Sequence, residues 1–201
     1  MYKKFFATVY DPIMGYMEKG IGPRRAALLS PLAGKILDVG CGTGINFQYF
    51  RKDAQVIGIE PSAAMLAYAK KKLDQYPQIK VFNLGVNDPK LDDIIAPASM
   101  DYVISTLVLC TIPNPKEAIQ NYKKWLKPNG KLIVLEHIKS EGRFYGGLQE
   151  VLNPVWKGLA DGCNLNRQTD QYILEAGFKA DEHFYLGNKL RWIQGVYGLS
   201  D

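Results

Sequence analysis

The chain has 201 residues, 47% of them hydrophobic and 22% charged, enough for one soluble α/β domain with a full core. No apolar run approaches the roughly 20 residues that cross a bilayer, and Met1–Tyr10 lacks the long apolar segment and small-residue cleavage site of a secretory signal. The net charge of +5 is scattered, so it permits contact with anionic lipid or nucleic acid without arguing for either, and three Cys with no CxxC pair point to a reduced, cytosolic protein without structural zinc.

Residues 1–31 read as a helical N-terminal cap punctuated by Pro12, Gly15, Gly20 and Gly22. Strands are predicted at 35–39, 55–60, 79–84, 101–107 and 131–136, because continuous apolar runs suit strands covered on both faces. Helices near 44–51, 62–74, 89–95 and 115–126 alternate with them; Ser62 caps the second and Pro128-Asn129-Gly130 stops the last. A helical stretch at 148–159 and a helix at 167–176, stopped by Gly177, come next. Strands at 178–186 and 190–197 then flank the turn-like Gly187-Asn188. This order predicts a doubly wound, Rossmann-like, seven-stranded and mostly parallel sheet, closed by an antiparallel pair, in a single domain over 1–201.

Ile36-Leu-Asp-Val-Gly-Cys-Gly-Thr-Gly44 is an apolar strand running into a glycine turn that opens a helix. Gly40, Gly42 and Gly44 let the backbone approach a ligand closely, with amide N–H groups and a helix end turned toward it. Asp38 stands just before the loop, suited either to ordering its amides or to accepting from an ammonium group. Glu60, at the end of the next strand, is placed to grip ribose hydroxyls. An adenosine-bearing cofactor follows. NAD would favour Gly-x-Gly-x-x-Gly, whereas here the third glycine comes one residue early, and no hydride-transfer constellation is visible.

Asp38-Val-Gly-Cys-Gly-Thr-Gly44 resembles motif I of the class I S-adenosylmethionine-dependent methyltransferases, and the likeness runs through nearly the whole chain, antiparallel tail included. It implies that S-adenosylmethionine is the cofactor and S-adenosylhomocysteine the product. Asp38 and Gly40 would hold the methionine end, with Cys41, Gly42, Thr43 and Gly44 completing the loop. Glu60 would hold the ribose, and Pro61, Ser62 and Met65 would lie near the adenosine. Where many relatives carry Gly-Asp-Ala this chain has Gly85-Val86-Asn87, so Val86 offers adenine only its backbone N–H, and Asn87 or Asp88 is left to replace the missing acid.

Acceptor loops belong beyond strands four and five, at Ser105–Cys110 with Leu107 nearest the cofactor, and at Glu136-His137. His137 reads either as an acceptor-site base or positioning group, or as a structural histidine under a cover. Residues 138–166 are expected to form that cover, lined by Phe144, Tyr145 and Trp156 unless these simply pack. Asp161, Cys163 and Arg167 are candidate substrate contacts, with a tight structural turn as the alternative.

Leu107–Cys110, Glu136-His137, Val151–Trp156 and Asp161–Leu165 resemble the small-molecule alkyl-thiol methyltransferases. Tyr10-Asp-Pro-Ile-Met-Gly15 resembles the front of ubiquinone/menaquinone methyltransferases and bacterial phosphatidylethanolamine N-methyltransferases. That second likeness places Tyr10, with Tyr16, over the pocket and makes Tyr10 a second candidate for proton transfer. The function expected is methyl transfer to a small lipophilic acceptor, thiol first, with a lipid amine or a quinone precursor as alternatives. Neither scheme requires a metal. An NAD-linked oxidoreductase and a non-catalytic cofactor-binding protein are the readings outside this class. No nucleic-acid partner is expected; the oligomeric state is not legible. The expected location is the cytoplasm, with peripheral contact at the inner face of the membrane left open by the Lys and aromatic residues of the first segment.

Overall fold

A computed structural model describes residues 15, 18–187 and 189–200. Helix α1 is described over 18–29. Strand β1 (Lys35–Val39), β2 (Gln55–Ile59), helix α2 (Ala63–Lys70), β3 (Ile79–Phe82), β4 (Met100–Thr106), α3 (Pro115–Trp125) and β5 (Leu126–Ile138) follow. The chain ends with α4 (Arg143–Leu159), α5 (Thr169–Glu175), β6 (Phe178–Leu186) and β7 (Arg191–Leu199). The sheet order is β3-β2-β1-β4-β5-β7-β6; β1 to β5 are mutually parallel, and β7 lies antiparallel to both β5 and β6. The order reverses between β1 and β4, so the ligand crevice of this architecture opens at the carboxyl ends of these two strands.

Period-two alternation along the strands divides the core. Leu37, Val103, Leu132 and Val134 face one side, where α3 presents Ala118, Ile119, Tyr122 and Trp125 and α5 presents Ile173. Ile36, Ile104, Ile133 and Leu135 face the other, against Leu28 and Leu29 of α1, Phe47, and Leu66 and Ala69 of α2. Burial of each large aliphatic side chain contributes about 1.5–3 kcal/mol. Both faces are therefore anchored, and the strand ends that carry polar groups are held rigidly.

The expected helices at 44–51 and 89–95 are instead single 3₁₀ segments, Ile45–Tyr49 and Pro89–Asp93. Ile45, Phe47 and Tyr49 are poor helix formers, and Phe50 turns extended at once. Pro97 discourages helix at Ala96 and so closes the second segment. The 62–74 helix breaks into α2 and a 3₁₀ turn at Leu73–Gln75. Helix α4 begins at Arg143 rather than near 148 and runs through Pro154. Strand β5 starts straight after α3, and Pro128-Asn129-Gly130 sits in a ladder irregularity between the Met100–Leu126 and Tyr102–Lys131 pairs. No described helix is long and apolar enough to cross a membrane.

Candidate active site

The loop after β1 turns on glycines with positive φ: +64° at Gly40, +57° at Gly42 and +80° at Gly44. At Gly40 a Cβ would stand 2.2 Å from Val108 Cγ2, so the absence of a side chain lets the loop pack on the segment leaving β4. At Gly42 a Cβ would meet only Met65 Cε at 3.7 Å and the Gly40 carbonyl at 3.9 Å. That is the bare stretch of backbone a ligand can approach. The Cys41 amide donates to the Ile59 carbonyl at 3.1 Å, tying the loop to β2, and the Cys41 thiol packs where Gly58 leaves room.

Two carboxylates flank the loop. Glu60 lies one residue past β2, with Oε2 accepting from the Gly42 amide (3.2 Å) and Oε1 from the Ser62 amide (2.7 Å). The Asn83 side chain donates to the carbonyls of Glu60 and Pro61, and Ser62 caps α2 by accepting from the Met65 amide. Asp38 is fully buried; Oδ1 accepts from Asn46 Nδ2 at 2.7 Å, while Oδ2 has no hydrogen-bond partner among the described residues. Burial pushes its pKa up to about 7, against the lowering effect of the Asn46 hydrogen bond and the Arg25 charge.

A buried chain of polar groups supports Asp38 from behind. Arg25 of α1 donates to Asn46 Oδ1 (2.6 Å) and Thr106 Oγ1 (2.9 Å), and its other nitrogens bind Glu18. Arg25, Asn46 and Thr106 line one recess together with Gly40, Gly42 and Thr43.

At the ends of β4 and β5 a second buried carboxylate organises the backbone. Glu136 Oε1 accepts from Ser105 Oγ (2.9 Å) and from the amides of Val108 (2.8 Å) and Leu109 (2.9 Å). These bonds, with the Leu107 amide donating to the Leu135 carbonyl at 3.0 Å, hold Leu107 at φ +57°, a left-handed conformation a branched side chain rarely takes. Burial raises the Glu136 pKa in spite of these donors.

Just beyond, Cys110, His137 and Cys163 converge. His137 Nε2 lies 3.1 Å from Cys163 Sγ, and the His137 ring packs edge-on to Trp192 at 6.0 Å between centroids. The Cys163 thiol is drawn down to about 4 by a hydrogen bond from Cys110, and then, against its burial, by His137 and Trp156. Burial lowers the His137 pKa, but the Cys163 contact outweighs it and the net shift is upward. Cys110 moves in the opposite direction, well above the ordinary thiol value, because it donates to Cys163 and is buried. Asn164 donates to the Cys110 carbonyl through both its backbone and its side chain, and Arg167 donates to the carbonyls of Leu109 and Ile112. Asp161 (φ +47°) and Gly162 (φ +90°) make the tight turn that delivers Cys163.

A family profile described as "Methyltransferase domain" matches residues 37–132, from β1 into β5. Human Thiol S-methyltransferase TMT1B is 30% identical over 168 residues, 82% of this chain and 69% of that protein. The chain belongs to the class I S-adenosylmethionine-dependent methyltransferases. The Phosphatidylethanolamine N-methyltransferase of Cereibacter sphaeroides is similar at 25% identity over 136 residues, 68% of this methyltransferase and 66% of that one. Among solved structures, an O-methyltransferase family protein from Burkholderia thailandensis superposes with a TM-score of 0.74 at 14% identity, covering 97% of this chain and 60% of that one, a likeness of fold. The methyltransferase spans about two thirds of the length of the curated relatives, 65% of the rat Thiol S-methyltransferase TMT1B and 69% of the human protein.

The residues present fit S-adenosylmethionine. Asp38 Oδ2 is an acceptor without a donor among the described residues, Gly42 exposes backbone, and Glu60 lies across the loop against the Gly42 and Ser62 amides. Val86 is buried, and Asn87 is engaged with Asn114 and Asn121. Tyr10 and Tyr16 lie outside the described residues. Of the expected cover residues, Trp156 reaches Cys163, whereas Phe144 is 75% exposed and lies in an outward apolar stripe with Leu148, Val151, Val155 and Leu159. Tyr145 is half-buried and meets Phe144 edge-on. Sequence reasoning passed over Arg25 and Asn46, placed Thr106 only within the Ser105–Cys110 acceptor loop, and treated Glu136 only as the neighbour of His137. Asn46, two residues past Gly44 in motif I, had the one positional signal that could have been followed.

Proposed function

We propose that the methyltransferase alkylates a small lipophilic thiol. The observation that carries this reading is the cluster of Cys110, His137 and Cys163 at the carboxyl ends of β4 and β5, beside the loop that packs on Gly40. The kinship with Thiol S-methyltransferase TMT1B supports it. When bound, the cofactor supplies an electrophilic methyl group on a sulfonium. Asp38 Oδ2 would accept from its ammonium group, Glu60 would hold the ribose hydroxyls, and the Val86 amide would face adenine. The loop amides and the Asn46–Arg25 chain keep these acceptors fixed, so the reaction gains from orientation rather than from covalent chemistry on the protein.

An acceptor thiol must ionise before it attacks, and at an ordinary pKa near 8.5 only a few per cent is thiolate at neutrality. The Arg167 guanidinium is a fixed positive charge on this side, and it favours the ionised form. The segment over 138–166, whose Trp156 reaches Cys163, excludes water from the reacting atoms. A second reading, methylation of a lipid amine at a membrane surface, is favoured by the outward apolar stripe of α4 and by the Cereibacter relative. The deciding experiment offers an alkyl thiol and phosphatidylethanolamine vesicles side by side and follows thioether, methylated lipid and S-adenosylhomocysteine. Thioether formation is expected; product from the lipid alone would transfer the proposal to the second reading, and no product from either would end both.

A further inference from the structure

We propose that Cys110, His137 and Cys163 are a three-ligand site for Zn2+, with the fourth position open to the sulfur of the acceptor. The proposal rests on the thiol reading above for its fourth ligand, though not for its first three.

One ligand atom from each of the three residues, two Sγ and one imidazole nitrogen, lies within 4.8 Å of the other two. Zinc bound at about 2.3 Å to sulfur and about 2.0–2.1 Å to nitrogen needs such atoms roughly 3.5–3.8 Å apart. His137 Nε2 and Cys163 Sγ are already 3.1 Å apart, so closure around an ion asks only for small side-chain rotations. The three come from separate elements: Cys110 from the loop after β4, His137 from β5, and Cys163 from the turn after α4. Backbone bonds hold all three in place. The Cys110 carbonyl accepts from Asn164 twice, His137 is locked in the β5–β7 ladder opposite Trp192, and the Cys163 amide donates to Ala160.

The donor set selects the metal. Two thiolates and an imidazole favour a soft or borderline cation over Mg2+ or Ca2+. Three protein ligands are the pattern of zinc sites that leave one position for a reactant, whereas purely structural sites supply four. The Arg167 guanidinium, anchored on Leu109 and Ile112, balances charge beside two ionised cysteines. The location suits the reaction: Val108, two residues before Cys110, is the side chain that packs against Gly40 of the cofactor loop.

In the step that follows, an acceptor R–SH binds through sulfur and releases its proton to solvent. A sulfur lone pair then forms the new S–CH3 bond as the sulfonium S–CH3 bond breaks. The products are a neutral thioether and S-adenosylhomocysteine. A neutral thioether is a weaker ligand than a thiolate and leaves, and the zinc is unchanged.

The test uses the full chain, kept reduced, stripped with a chelator and titrated with Zn2+ and separately with Co2+ in the absence of cofactor. One zinc per chain is expected. Cys110→Ser and Cys163→Ser should each weaken binding by roughly a hundredfold, while His183→Gln, at the other histidine, should leave it unchanged. The Co2+ form should show a tetrahedral spectrum whose sulfur-to-metal band grows on adding an alkyl thiol. Lack of stoichiometric metal uptake by the reduced wild-type protein would overturn the proposal whether or not the variants fold. A cobalt spectrum indifferent to thiol would overturn it too. Stoichiometric zinc with methyl transfer only to phosphatidylethanolamine would support the three ligands and refute the thiol reading.

Discussion

Asp38 is the residue whose burial ties stability to pH and, in the role proposed for it, to cofactor capture. Its folded pKa of about 7 lies above the ordinary 3.8 because the carboxyl is buried, with one oxygen lacking a donor among the described residues. Below the ordinary value it is protonated in both the folded and unfolded states, and its contribution to stability is fully present. As pH rises toward about 7 the unfolded chain has already ionised while the folded protein resists, so that contribution is lost. Denaturation between pH 4 and 8 should therefore show a declining component that Asp38→Asn removes; an identical slope in the variant would contradict it. An ammonium ligand on Oδ2 favours the carboxylate, so affinity for S-adenosylmethionine should rise with pH through about 7 and binding should release protons. Calorimetry in buffers of different ionisation heat measures that release. At Glu60 the expectation is simpler. Its carboxylate already binds the Gly42 and Ser62 amides, and Glu60→Ala should lower cofactor affinity by about 1.5–3 kcal/mol, roughly ten- to a hundredfold.

At the scale of elements, the site depends on how the loops after β1 and β4 meet. Gly40→Ala puts a methyl group 2.2 Å from Val108 Cγ2 at a left-handed backbone position, and should cost about 2–4 kcal/mol. Adding Val108→Ala removes the 2.2 Å contact but leaves the residue 108 Cβ at 2.9 Å and the backbone strain, so thermal melting of the pair should recover only part of the loss. Full additivity of the two losses would contradict the packing account. Glu136→Ala strands the Val108 and Leu109 amides and the Ser105 hydroxyl, and should destabilise by more than about 3 kcal/mol. Glu136→Gln should keep most of the stability, because a single oxygen accepts all three bonds. Chemical denaturation of the two variants separates these outcomes.

The strands were legible because their apolar runs and their partners' runs agree at every level, from propensity to double-sided burial. The 3₁₀ segments were not. Asn46 and Phe47 are drawn inward, Asn46 by Asp38, and that tertiary demand overrides the local pattern. Glu60 and the motif I glycines could be read from spacing, since one strand–loop–helix unit contains the loop and the neighbouring strand delivers the acid. Arg25 could not, for its buried partners Asn46 and Thr106 lie 21 and 81 residues away.

Considered whole, the methyltransferase sets a cofactor cradle at the β1–β4 reversal and a thiol–imidazole cluster at the β4–β5 exit, joined by the strained turn at Leu107. Cys110, His137 and Cys163 were each expected on the acceptor side, but their convergence could not be read, because they are distant in sequence and carry no CxxC spacing; the β4–β5 crossover and the turn after α4 bring them together. The terminal β6–β7 pair completes the arrangement, since β7 shields β5 and puts Trp192 against His137. Everything proposed for the acceptor presupposes the cradle. Isothermal calorimetry of the full chain with S-adenosylhomocysteine addresses it most directly, beside the Glu60→Ala variant. One site per chain, weakened roughly ten- to a hundredfold in the variant, is the predicted result. Folded wild-type protein that takes up no S-adenosylhomocysteine, or a variant that binds it as tightly, would contradict the account.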